Sequence, residues 1–224
     1  MTPFDALSTP VYRRLREGLD RIGAAMRADQ WGLAEDSGLS PTQAHVLAFV
    51  AGRGAKGMRV RSIAEHLGVA QPTATESIAA LVRKGLLTKA SDPDDARAAS
   101  IQITGAGQEI VRGIGLAMTS TERALETLSS KEQTMLLHLV IKTIRALQIA
   151  GAIPPQRVCI SCRYFRANVH DDAELPHHCA YVDAPFGGRH LRLDCNEHGE
   201  ADQGALDQAW KAFSGIAYDL PMSA

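Results

Sequence analysis

The sequence predicts a mainly α-helical chain with a small β-hairpin, followed by a small irregular cysteine-rich module. Three observations carry this expectation. Up to about residue 150, apolar residues recur three and four apart, the spacing of one helix face. Within that region, two short helical stretches joined by a glycine turn precede two strand-like runs. Beyond it, all four cysteines fall between positions 159 and 195, and the 158 residues before them contain none.

The elements follow in order. From Tyr12 to Glu35, Leu15, Leu19, Ile22 and Met26 line one helix face, and Gly38 ends it. Ser40-Pro41 reads as an N-cap with proline at the first helical position, and Ala44, Leu47, Ala48 and Ala51 supply the next face. Gly52-Arg53-Gly54 closes that helix, and Val60 suits a short strand. Ser62 to Leu67 is a short helix closed by Gly68. Gln71-Pro72-Thr73 opens another, with Ala74, Ile78, Leu81 and Val82 facing inward and Gly85 at its end. Leu86 to Thr88 and Ala99 to Ile103 form two strands around the turn residues Asp92-Pro93-Asp94-Asp95. Helix-turn-helix followed by such a hairpin is a winged helix. Two longer helices follow, from about Gly105 to Leu128 and from Ser129 to Ile149, the second opened by the capping box Ser129-x-x-Glu132. Leu206, Trp210, Phe213 and Ala217 mark a terminal amphipathic helix.

The charge of the chain is −1 overall but is unevenly spread: residues 1–150 carry a net +3 and residues 151–224 a net −4. Composition shifts at Gly151 to Pro155, where glycine and a proline pair end a helix and stiffen the connection. The expected domains are therefore 1–152 and 153–224. No apolar run approaches the roughly 18 residues of a membrane span. The first twenty residues lack a basic segment followed by an apolar one, so a cytoplasmic location is expected, where structural disulfides are rare.

The strings LSPTQAHVLAFV, IAEHLGVAQPTATESIAALVRKGLL and DPDDARAASIQITGAGQEI resemble the MarR family of winged-helix transcriptional regulators. The resemblance spans about Tyr12 to Ala150. It implies a homodimer joined through the N- and C-terminal helices, with a double-stranded DNA operator as partner. It further implies a recognition helix in the major groove, here presenting Gln71, Thr73, Thr75 and Ser77. Asp95 and Arg97 match an Asp-x-Arg wing tip, where the acid orients an arginine in the minor groove. The chain departs from the family at Ala96, where a second arginine is common, and at Glu76, an acid facing phosphate. A small-molecule effector beside the wing is a further candidate partner.

The cysteines follow the spacing C-x2-C-x16-C-x15-C, at Cys159, Cys162, Cys179 and Cys195. Four thiolates can close a tetrahedral zinc site or hold an iron–sulfur cluster. A zinc ribbon usually offers two Cys-x-x-Cys pairs, whereas here one pair is followed by two lone cysteines. The spacing, and the aromatic residues Tyr164, Phe165, Tyr181 and Phe186, resemble the high-potential iron–sulfur proteins over about 37 residues. The expectation is a [4Fe–4S] cluster on these four cysteines. Zinc is the alternative, and bare redox thiols come third. His177, His178 and His198 stand beside cysteines and are expected to support the site rather than ligate.

No Gly-x-Ser-x-Gly, P-loop, dinucleotide-binding or His-Glu-x-x-His motif is present, so an enzyme is not expected. The expected function is a DNA-binding regulator that senses redox state or iron through its cysteine module. The alternatives are a regulator with a structural zinc site, or a metal-stabilised interaction module with weak DNA binding.

Overall fold

A computed structural model describes residues 9–53, 57–92 and 95–215, with backbone alone for Asp92 and residues 95–98. Among these, contacts group residues 9–51, 57–60, 72–92 and 95–127 into one unit and 52–53, 61–71 and 128–215 into a second.

The first unit opens with α1 (Val11–Asp36). Its apolar stripe Val11, Leu15, Leu19, Ile22 and Met26 is about half exposed or more. Gly38 takes a left-handed conformation (φ 66°), and the Leu39 amide returns to the Ala34 carbonyl at 2.8 Å, which ends the helix. α2 (Pro41–Ala51) begins as expected: the Gln43 amide donates to Ser40 Oγ, and the Ser40 amide donates to Gln43 Oε1. Val46, Leu47, Phe49 and Val50 of α2 are buried.

Residues 60–67 form α3 (Val60–Leu67), where the sequence suggested that Val60 would sit in a strand. α4 (Gln71–Arg83) buries Ala74, Ser77, Ile78 and Leu81. β1 (Leu87–Asp92) and β2 (Asp95–Ile103) pair antiparallel, Leu87 opposite Ile103 and Ala90 opposite Ser100. Both strands are longer than the sequence reading placed them. Met58 adds an antiparallel bridge to Ile101. Val60 does not join it, because the bridge already ends at Met58.

Thr104 and Gly107 fix the start of the next helix. The Thr104 side chain donates to the Gly85 carbonyl (2.7 Å) and accepts from the Gly107 amide (3.1 Å), capping α5 (Gly105–Leu116). A Cβ on Gly107 would collide with the Leu86 carbonyl oxygen, so glycine is required there. The single helix expected from 105 to 128 is two helices. α5 ends at Leu116, and Thr119 caps α6 (Ser120–Glu126) through a capping box with Glu122.

Asp29 of α1 also serves α6. Its carboxylate accepts from the hydroxyls of Ser120 and Thr121, each at 2.6 Å, and from both amides. These donors, the Ser120 hydroxyl first, hold the Asp29 carboxyl well below its usual range. A lowered folded-state pKa gives stability that is present above the unfolded value of about 3.9 and is lost as pH falls below it. Asp29→Asn is therefore expected to unfold at lower denaturant than the parent at pH 7. The gap should narrow steadily below about pH 4. A gap that stays constant from pH 7 to pH 3 would contradict this.

In the second unit, Gly68 (φ 63°) ends α3 and the Val69 amide returns to Ala64. α7 (Ser130–Ile149) carries the expected capping box of Ser129 and Glu132. Its residue Ile141 joins Val158, Ile160, Phe165, Leu191 and Phe213 in one buried core. Thus the helix before the 152/153 boundary packs with residues that follow it. Three short antiparallel strands, β3 (Phe165–Arg166), β4 (His177–Cys179) and β5 (Ala184–Phe186), give order to the segment expected to be irregular. α8 (Gln203–Ser214), capped by Asp202, supplies Phe213. Ala217 lies outside the described residues. No described helix is long and apolar enough to cross a membrane.

Candidate cofactor cavity and DNA-reading helix

The cysteine-bearing chain is anchored by apolar residues that alternate with the thiols. Val158 and Ile160 are buried, and Cys159 between them is only half-buried. A 3-10 turn over Cys159–Ser161 brings the Cys162 amide onto the Cys159 carbonyl at 2.9 Å. β4 then sets Cys179 opposite Phe165 and Ala184. The segment 192–195 returns alongside 157–159: the Cys159 amide donates to the Arg192 carbonyl and the Cys195 amide to the Arg157 carbonyl, both at 3.0 Å.

All four cysteines consequently line one cavity of about 170 Å³, walled by Tyr164, Phe165, Tyr181 and Phe186. Arg192 serves two of the thiols. Its amide donates to Cys159 Sγ at 3.2 Å, and its guanidinium reaches Cys195 Sγ at 3.9 Å. Burial pushes the Cys159 thiol up to about 11; the Arg192 amide opposes this, and the other three cysteines add to it. The Cys159 thiol so placed resists ionising unless a cationic group neutralises it.

By donor chemistry alone the four thiols suit either zinc or a cluster. Zinc draws four sulfurs to about 2.3 Å from one point. Among the described residues, no three His, Cys, Asp or Glu side chains are grouped so as to hold a metal ion. The cavity is also more than ten times the roughly 10–15 Å³ that admits one water.

The histidines divide by environment. His177 is buried among Phe165, Phe186 and Phe213, and its Nδ1 accepts from the Asn168 amide. Burial, and then the neighbouring His138, lower its pKa to about 4, so it is neutral at pH 7. His198 bonds the Ser161 hydroxyl at 3.0 Å. His170 is exposed but meets His178 at 3.2 Å, and His178 meets Asp183 at 3.2 Å.

A charged network that sequence reasoning missed adjoins Cys195. Asp194 accepts from Arg53 Nη1 at 2.9 and 3.0 Å and from Arg157 Nε at 2.8 Å. Arg157 Nη2 also donates to the Gly52 carbonyl and to Asn196 Oδ1, each at 3.0 Å. The Arg53 side chain is only 6% exposed. His66 of α3 lies close enough for Arg53, Asp194 and Arg157 all to bias its protonation, though burial dominates and lowers its pKa.

On α4, Gln71, Thr73, Thr75 and Glu76 lie on the exposed face. Ser77, expected to meet DNA, is instead turned inward at 8% exposure, because it sits three residues after the buried Ala74. Asp95 and Arg97 are in β2, but their side chains lie outside the described residues.

Residues 37–98 match the model described as MarR family. No curated protein matches the chain. Among solved structures, a MarR transcriptional regulator from Methanosarcina mazei Go1 is similar at 16% identity and a TM-score of 0.53, covering 61% of this chain and 99% of that one. A MepR mutant from a multidrug resistant S. aureus clinical isolate is similar at 23% identity and a TM-score of 0.50, covering 60% and 97%. The segment from residue 37 to 98 thus carries the MarR family pattern, in a chain whose fold resembles that of winged-helix regulators.

Proposed function

We propose that the protein is a homodimeric, MarR-type transcriptional regulator whose DNA binding responds to a [4Fe–4S] cluster held by Cys159, Cys162, Cys179 and Cys195. The observation that supports the cluster is that all four cysteines line one aromatic-walled cavity. When bound, such a cluster supplies an exchangeable electron and four ties across residues 159–195. The chain's own residues do the rest. Arg192 directs an amide at Cys159 Sγ, which opposes the effect of burial there, and a guanidinium at Cys195 Sγ. Tyr164 and Tyr181 meet edge to face at 5.4 Å at the cavity wall.

The dimer reading rests on the exposed stripe of α1, together with exposed Leu116, Leu136, Leu139 and Ile149. Long helices with apolar faces of this kind need a partner. The DNA reading rests on the family match and on the exposed face of α4. Arg97→Ala should weaken binding to a genomic duplex and shallow its salt dependence by about one unit of slope. Unchanged affinity and slope would remove Arg97 from the interface. The exposed acid Glu76 favours the second reading, a metal-stabilised interaction module, and a monomer indifferent to DNA at low salt would select it.

A further inference from the structure

The Arg53–Asp194–Arg157 network joins two stretches that are remote in sequence. One is the Gly52-Arg53 turn, which directly follows α2 and precedes α3, the first helix of the helix-turn-helix. The other is the loop 194–196, whose middle residue is Cys195. Asp194 takes Arg53 and Arg157, and Asn196 takes Arg157, so both neighbours of Cys195 are tied into the network. Arg157 closes the circuit on the Gly52 carbonyl.

The charges make this arrangement two-state. With Asp194 in place, one carboxylate bridges two guanidiniums. Without it, two cations face each other, and the buried Arg53 side chain loses its main counter-ion. Losing the two hydrogen bonds to Asp194 is unfavourable for so buried a guanidinium, so the turn that carries Arg53 follows the loop. Whatever fixes the Cys195 sulfur therefore fixes Asp194, and whatever frees it loosens Gly52 and Arg53. α3 feels the same change, since residues 61–71 group by their contacts with residues 52–53 and 128–215, and only residues 68–70 separate α3 from α4.

We propose that Arg53 is a positioning residue that couples the cysteine cavity to the helix-turn-helix, by clamping the Gly52-Arg53 turn and α3 to the loop that carries Cys195. This rests on the proposed cluster at the four cysteines. The test compares the full-length protein with its cluster and after stripping by chelator and oxidant. The probe is the tightest duplex that the stripped protein selects from a random library. The wild-type affinities should differ about tenfold between the two states. Arg53→Gln should keep the visible spectrum but bring its two affinities within about twofold of each other, and Arg53→Lys, which keeps the charge, should restore part of the difference. An Arg53→Gln protein that keeps the full wild-type ratio overturns the coupling and leaves the regulator reading intact. A wild type with equal affinities in both states overturns both. Hydrogen exchange on wild type needs no variant: stripping should speed exchange across residues 61–67, and unchanged exchange there overturns the coupling.

Discussion

Cys179→Ser is expected to abolish the broad visible absorbance of anaerobically purified protein and leave its DNA affinity at the stripped value. Cys179 is on β4, the central strand of its sheet, opposite Phe165, and it is the thiol contributed from the middle of the module. Its loss leaves Cys159, Cys162 and Cys195, too few for the Cys₄ set of a cubane. The hydroxyl is close in size, so the strand pairing at His177–Cys179 should persist and circular dichroism should change little. The DNA affinity should move about tenfold, a coupling of about 1.4 kcal/mol, in whichever direction stripping moves the wild type. A Cys179→Ser protein with undiminished colour and iron content would exclude Cys179 as a ligand.

Phe213→Ala should be the most damaging change in the core of the second unit. Phe213 is fully buried and stacks on His138 of α7 at 4.2 Å. It also touches Phe165, His177 and Trp210. It therefore ties α8 to both α7 and the strand next to the cysteines. Truncating a buried Phe to Ala typically costs about 3–5 kcal/mol, from lost transfer energy and the cavity left behind. Urea unfolding should show a lower midpoint with an unchanged slope. A loss below about 1 kcal/mol would mean that α8 contributes little to the unit.

How far the sequence could be read depended on the range of the forces involved. The starts of α2 and α7 were legible because Ser40 and Ser129 bond within their own first turns. The start of α6 carried the same signal, Thr119-x-x-Glu122, but the long apolar periodicity from 105 to 128 masked it. Ser77 was misplaced as a DNA contact although its spacing from Ala74, Ile78 and Leu81 marks the inward face. Val60 read as strand from its β-branched side chain, a local preference that the surrounding fold overrode. The gathering of four cysteines was legible because all of them lie within one short segment. The Arg53–Asp194 pair was not, since its members are 141 positions apart and neither belongs to a motif. Arg192 was equally hidden, because half of its role comes from a backbone amide that any residue but proline would supply.

The most direct test of the central claim is the visible spectrum of the anaerobically purified full chain, read together with its iron, sulfide and zinc content. Coloured protein is expected, with about four iron atoms and about four sulfides per chain, on Cys159, Cys162, Cys179 and Cys195. Colourless protein carrying about one zinc per chain and no iron would contradict the claim.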